Sequence, residues 1–278
     1  SRGLGDVYKR QQYFWKPFLM KNILLVEGNL REVNQEFTDN GIKTHTESLR
    51  ESIDYFTNNL EIDTVNPSSD NDIFNKVKDL NKYDGLIWGG SSLNIYSDTI
   101  EIRRQIDFMK ECQKKVKNIL AICWGLQVAV TAAGGEVKKG NNGAHRGIAH
   151  EIVINSDGLK HLLYKDKIQN FNTPAFNYDE VVTLPKDAIL LSSNKVNRVM
   201  GLNFKTEVSD IWGIQYHPEI TYEKMVTLIN FRKERLLENK SFNNEEDMIS
   251  HIKIIEDEIK ISNKDLRMRE LRNWLNFI

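Results

Sequence analysis

The sequence predicts an α/β protein built on an open, mostly parallel, doubly wound sheet with helices on both faces. Three observations carry this prediction. From Asn22 to Ala133, short apolar runs alternate with amphipathic helical stretches at the spacing of βαβ units. One apolar run, Asn118–Ile122, turns abruptly into the helix-forming stretch Leu126–Ala133, with Cys123 at the turn. A later run, Trp212–Gln215, reads as a strand and is followed at once by His217 and Glu219.

The totals set the frame. A chain of 278 residues has room for one large domain with an appendage and a substantial core. With 40% hydrophobic and 28% charged residues and a net charge of −1, it offers no overall electrostatic case for binding nucleic acid. Two cysteines far apart do not make a disulfide framework, which points to a reducing compartment and a cytoplasmic location. No apolar run approaches the roughly 20 residues that span a bilayer, so no membrane association is expected. Residues 1–19 precede Met20 and the natural first strand; Ser1 to Gln11 look like translated adapter sequence, and the whole stretch is expected to be non-native or disordered.

Taken in order, Asn22–Val26 is the first strand. A helix carrying Val33 and Phe37 follows and stops at Asn40-Gly41. Leu49–Leu60 gives no clear pattern. Asp63–Val65 reads as a short second strand, and Ile73, Val77 and Leu80 form one stripe of a helix over 73–80. Tyr83–Trp88 is a third strand leading into Gly89-Gly90. Thr99–Lys117 is a long helix in which Ile102, Ile106, Met109 and Cys112 share a face, so Cys112 belongs to the core. Beyond Gly135 the texture changes: 149–154, 176–184, 189–192, 199–204 and 211–215 read as late strands and hairpins, a small antiparallel section. A helix over 223–238 closes a domain spanning 20–238. After a linker at 239–244, a C-terminal helical extension (239–278) shows two apolar stripes, Met248/Ile252/Ile255/Ile259 and Leu271/Trp274/Leu275/Ile278. Such stripes usually pack on their own core; the alternative is an oligomer surface.

The chemistry sits at the strand ends. A cysteine where a strand turns into a helix exposes its sulfur at the carboxyl edge of the sheet, and the helix N-terminus behind it favours the thiolate. That stretch alone is equally compatible with a small buried hydrophobe. His217 and Glu219, two apart in extended backbone, point the same way and supply the base and the orienting acid that a thiol nucleophile needs. Gly89 and Gly90 lack Cβ and let backbone approach a ligand. His145 and His150 flank Arg146-Gly147 in a possible active-site loop; His45, His161 and His251 have no partner pattern, and no spacing suggests a metal site.

At these residues the chain resembles the class-I glutamine amidotransferases, most nearly their stand-alone, GMP-synthase-like branch. Ile122-Cys123-Trp124-Gly125-Leu126-Gln127 looks like the family's nucleophile motif and Tyr216-His217-Pro218-Glu219 its His-x-Glu motif. Gly89-Gly90-Ser91-Ser92 stands at its glycine-rich oxyanion turn, and Asp179–Pro185 looks like its Asp-x-Val segment. The resemblance spans roughly 20–238 and implies a flavodoxin-like fold. It implies a catalytic triad of Cys123, His217 and Glu219, working through a glutamyl thioester, with backbone N–H groups of Gly90 and Trp124 as oxyanion donors. Gly89, Gln127, Asn177, Tyr178 and Asp179 become the substrate-binding positions, and no cofactor is implied. The chain departs from the family at two places: Ala121 replaces the first glycine of Gly-x-Cys-x-Gly, and Phe176-Asn177 replace a Ser-His pair.

Three functions follow. The first is hydrolysis of the glutamine side-chain amide, releasing ammonia for a separate synthetase; the chain has neither a phosphate-binding Gly-x-x-x-x-Gly-Lys-Ser/Thr loop nor a Ser-Gly-Gly-x-Asp-Ser pattern of its own. The second is hydrolysis of another γ-glutamyl amide or peptide, which the Phe176-Asn177 departure favours. The third, a non-catalytic regulatory or binding protein, sits poorly with an intact Cys123, His217 and Glu219.

Overall fold

The computed structural model describes residues 20–278, so the adapter-like stretch before Met20 lies outside the described residues. The chain opens with β1 (Lys21–Val26), α1 (Arg31–Asp39), α2 (His45–Phe56), β2 (Leu60–Val65), α3 (Ile73–Lys76), β3 (Gly85–Trp88), α4 (Ile100–Lys115), β4 (Asn118–Ile122) and α5 (Trp124–Ala132). The strands β1, β3 and β4 are continuous apolar runs because both their faces are covered, as in parallel sheets. The helix α2 occupies a stretch where periodicity gives no clear pattern. Its start is a capping box: Thr44 Oγ1 accepts from the Glu47 N–H, and the Thr44 N–H donates to the Glu47 carboxylate at 2.7 Å.

The second half contains β5 (Glu136–Lys139), β6 (His145–Arg146), β7 (Ala149–Ile154), β8 (Asn170–Thr173), β9 (Phe176–Asn177), β10 (Asp179–Thr183), β11 (Ile189–Ser193), β12 (Gly201–Lys205) and β13 (Asp210–Ile214). It ends in α6 (Tyr222–Phe231), α7 (Lys233–Glu238), α8 (Glu245–Ile261), α9 (Lys264–Arg267) and α10 (Arg269–Phe277).

Among the described residues, nine strands form one sheet in the order β2-β1-β3-β4-β13-β12-β11-β7-β8. The first five run parallel, a flavodoxin-like α/β core. From β13 onward the sheet continues antiparallel, so most of the late strands extend the main sheet. Two small antiparallel pairs, β5–β10 and β6–β9, stand apart from it. One apolar layer packs α4 and α5 on one face of the sheet, with Ile102, Met109 and Cys112 inside it. The other layer holds Leu49 and Ile53 of α2 together with Leu271 and Trp274 of α10.

Two expectations are corrected. The helix predicted over 73–80 ends at Lys76; Val77 leaves helical geometry, and a separate turn at 80–82 begins where Asp79 accepts from the Asn81 N–H. Ile73, Val77 and Leu80 are nonetheless all buried, so the stripe records burial rather than a continuous helix. The helix predicted over 223–238 breaks at Arg232 into α6 and α7. The strand β8 is an addition to the predicted elements. It has little sequence signature, because its buried-exposed alternation runs for only four residues and carries one large apolar side chain, Phe171.

The C-terminal helices are stitched to the sheet. Along α8, Met248 and Ile255 pack with Tyr222 and Ile229 of α6. Glu270, fully buried, accepts from the Tyr216 hydroxyl at 2.6 Å and from Lys167 Nζ at 3.0 Å. Arg267 donates to the carbonyls of Pro218 and Ile220. Burial pushes the Lys167 ammonium below its usual range, and Glu270 opposes that shift. Breaking one side of such a pair leaves an uncompensated buried charge, worth about 3–5 kcal/mol. Glu270→Ala is therefore expected to destabilise the fold by about that amount in urea unfolding. The apolar double variant Lys167→Met/Glu270→Leu is expected to recover most of the loss.

Candidate active site

The carboxyl ends of the parallel strands bring the predicted residues together. Cys123 follows β4 directly and has φ 53° and ψ −102°. A non-glycine residue with positive φ is uncommon, and here it is the sharp corner between strand and helix that the elbow requires. The corner is held by backbone: the Cys123 N–H donates to the Ile214 carbonyl at 2.7 Å, and the Gly125 N–H to the Gly89 carbonyl at 3.1 Å. Gly125 is required by close approach, since a Cβ there would lie 2.3 Å from the Trp88 carbonyl oxygen. At this elbow Ala121, the departure from the glycine pattern, is simply buried within β4.

Next to β4 in the sheet, β13 delivers the second motif. His217 and Glu219 are 2% and 3% exposed, and His217 Nδ1 lies 2.7 Å from Glu219 Oε1. Burial alone would lower the basicity of the imidazole; the charges of Glu219 and Cys123 and their hydrogen bonds outweigh it and push the His217 pKa up to about 10. Cys123 is 4% exposed and opens with Trp124 and Gln127 onto a cavity whose other walls include Ser92, Phe176, Asn177, Tyr178, Asp179 and Arg232.

The backbone near the elbow has free donors, although neither Gly89 nor Gly90 is among the residues lining the cavity. Among the described residues, the N–H groups of Gly90 and Trp124 make no hydrogen bond. Gly90 also permits the histidines to close in: a Cβ there would be 2.7 Å from Cε1 of His217 and of His45. Gly89 does not line the cavity; its N–H donates to the Val26 carbonyl and its carbonyl accepts from Gly125, so it ties β1 and β3 to the elbow. Trp124 is fixed by its indole N–H, which donates to Gln105 Oε1 at 2.8 Å.

Asn177, Tyr178 and Asp179 lie on the cavity wall opposite the elbow. The Asn177 side chain is anchored by His145 Nδ1 at 2.8 Å and donates to the Asp179 carbonyl, so His145 acts as a structural prop for this wall. Tyr178 hydrogen-bonds Ser241, and Asp179 accepts from the Tyr96 hydroxyl at 3.0 Å. Burial raises the Asp179 carboxyl above its ordinary value.

Three residues join the site without a signal in the sequence. His45, expected to have no partner, stacks on His217 with ring centroids 5.4 Å apart and planes 22° from parallel. Burial first, and the His217 charge next, hold it well below the usual imidazole range, so it is neutral. Among the described residues, its Nδ1 and Glu219 Oε2 are buried without partners. Together, ligand atoms of His45, His217 and Glu219 lie within 4.8 Å of one another, donor types that fit a metal ion. The sequence suggests no metal site because His45 is remote in the chain from the other two. The second is Gln215, whose amide donates to Cys123 Sγ at 3.5 Å and accepts from Gln127 at the same distance. The third is Arg232, at the break between α6 and α7. The T-x-x-E cap before α2 is a local signal near His45, and it speaks to structure, not chemistry.

Comparison with known proteins gives a consistent answer. The family profile described as "Glutamine amidotransferase class-I" matches residues 37–234. A gamma-glutamyl-L-1-hydroxyisopropylamide hydrolase from Pseudomonas sp is 28% identical over 218 residues, 72% of this chain and 74% of that protein. Gamma-glutamyl peptidase 4 from Arabidopsis thaliana is 27% identical over 56% of this chain and 62% of its own length. A glutamine-hydrolyzing GMP synthase subunit from Sulfolobus acidocaldarius is 25% identical over 52% of this chain and 72% of its own. A glutamine amidotransferase from Thermotoga maritima, solved by crystallography, shares the fold at a TM-score of 0.63 with 16% identity, covering 93% of this chain and 97% of that one. The match over most of the chain, on the fold and motifs just described, establishes that this protein is an enzyme of the class-I glutamine amidotransferase family.

Proposed function

We propose that the protein hydrolyses γ-glutamyl amides through Cys123, His217 and Glu219. The observation that carries this reading is the pairing of a strained, cavity-facing cysteine with a buried imidazole that a carboxylate holds protonated. The Cys123 thiolate attacks the γ-carbonyl carbon, and the negative charge moves to the carbonyl oxygen. The N–H groups of Gly90 and Trp124 stabilise that oxyanion; losing one such donor typically costs about 100- to 1,000-fold in rate. His217 then gives its proton to the leaving nitrogen as the C–N bond breaks, which leaves a glutamyl thioester and a free amine. Water attacks the thioester, His217 takes the water's proton, and glutamate departs as the thiolate returns. Glu219 keeps the ring oriented and its charged form stable throughout.

The choice of substrate rests on two further observations. The relatives aligned over the largest share of this chain include one named as a γ-glutamyl amide hydrolase, with γ-glutamyl peptidases close behind. The wall formed by Phe176 and Asn177 differs from the Ser-His pair that the family pattern carries there. The γ-glutamyl amide hydrolase reading therefore moves ahead of the ammonia-supplying one. The latter stays as the second reading because several relatives are GMP synthase subunits by name. It would require a separate synthetase and glutamine as the substrate.

Incubation of the purified protein with glutamine and a panel of γ-glutamyl alkylamides and dipeptides tests both readings by release of glutamate. Turnover of the panel in preference to glutamine, abolished by Cys123→Ala, is the expected result. Turnover restricted to glutamine favours the second reading, and turnover that survives Cys123→Ala sinks both. The raised His217 pKa also predicts a pH dependence of stability. Its folded value of about 10 exceeds the ordinary 6.5, so its contribution is fully present below pH 6.5 and is lost progressively as pH rises through 10. Glu219→Gln removes the chief group that raises it. The urea-midpoint gap between the wild type and this variant is expected to be largest near pH 6 and to close above pH 10.

A further inference from the structure

Resting on the γ-glutamyl hydrolase reading, we propose that Arg232 is the carboxylate anchor of this active site, so that the substrate is a γ-glutamyl compound held by a free carboxylate as well as by its scissile amide. Arg232 lines the same cavity as Cys123. It sits at the break between α6 and α7, where the chain leaves helical geometry. One guanidinium nitrogen donates to Ser92 Oγ at 2.9 Å, two residues from Gly90. The carbon of the guanidinium lies 5.6 Å from the ring centre of Phe37 and 5.2 Å from that of Phe176, between two aromatic faces that fix its plane.

What Arg232 lacks is a directly paired carboxylate; Glu36 and the Cys123 sulfur act on it only through space. Among the described residues it forms no ion pair with a carboxylate. The one acid on the cavity wall, Asp179, is engaged with Tyr96 instead. Arg235, on the same wall, adds like charge rather than relief. Loss of hydration weakens the hold of Arg232 on its proton, and Arg235 adds to this, yet at a pKa of about 10 it still carries a full charge near neutrality. A planar donor fork between two aromatic rings, partly desolvated and with no carboxylate within ion-pair distance, matches the bidentate geometry of a carboxylate. A γ-glutamyl compound whose carbonyl meets Cys123 carries its α-carboxylate only a few bonds away. If the amine half is an amino acid, a second carboxylate lies at a comparable distance on the other side.

Paired ligands that differ only by carboxylate or carboxamide separate these sources. Glutamine against glutaminamide reads the glutamyl half, and γ-glutamylglycine against its glycinamide reads the amine half. Each pair is measured as a kcat/KM ratio in the wild type, Arg232→Gln and Arg232→Lys, and as a Kd ratio in a Cys123→Ala background, where binding needs no turnover. A charge-assisted pair predicts that Arg232→Gln reduces the acid-over-amide preference in one of the two pairs by about 10- to 100-fold, with Arg232→Lys between. The pair affected names the half that is held. Failure of Cys123→Ala protein to bind any of the acids, or equal preference with and without Arg232, overturns the anchor. Carboxylate-dependent binding without any hydrolysis by the wild type overturns the hydrolase reading and leaves the anchor standing.

Discussion

The site depends on how closely three pieces of backbone approach one another at the carboxyl ends of β3, β4 and β13. Cys123 can occupy its positive-φ corner only because Gly125 lets α5 rest against the Trp88 carbonyl. His217 and His45 can both reach the elbow only because Gly90 presents no side chain to them. The cavity is therefore a consequence of tight packing rather than of a gap in it. Protein interiors resist even small added volume, so the spacing of sulfur, imidazole and free N–H groups is set by the scaffold before any ligand arrives.

Electrostatics then builds on that spacing. Burial works against charge on His217, and the neighbouring Glu219 and Cys123 outweigh it, which is what lifts His217 so far above its ordinary value. His45 contributes differently. Buried and neutral, it covers one face of the His217 ring without competing for its proton. On the far wall, His145 fixes Asn177 and Tyr96 holds Asp179, so the side chains facing the elbow are as constrained as the elbow itself.

The parts of this arrangement that the sequence discloses are those whose signal is local. Cys123 stands at a strand-to-helix switch, His217 and Glu219 are neighbours on one strand end, and Gly89-Gly90 follows an apolar run. The remainder depends on distance in the chain. Nothing near His45 announces that it meets His217, separated from it by most of the sheet. Arg232 looks like one more residue of a continuous helix, because its departure from helical geometry has no glycine or proline to mark it. Gln215 lies beside a recognisable motif but resembles an ordinary strand residue. Among the elements, β8 is hard to see because it is four residues long and only Phe171 among them is a large apolar residue. The helix after Asp72 is shorter than its stripe suggests because three buried side chains at helical spacing do not require an unbroken helix between them.

The grip of the last helices on the Tyr216–Ile220 segment carries one more implication. Tyr216 hangs from Glu270, and the carbonyls of Pro218 and Ile220 hang from Arg267, with His217 and Glu219 spaced between these fastenings. His217 and Glu219 are thus clamped from behind by α9 and α10, like a hinge held by its pin. A ribosome must finish both helices before that segment can be locked. A polypeptide without them would keep the strand-to-helix corner at Cys123 but lose every one of these fastenings on the segment that carries His217 and Glu219.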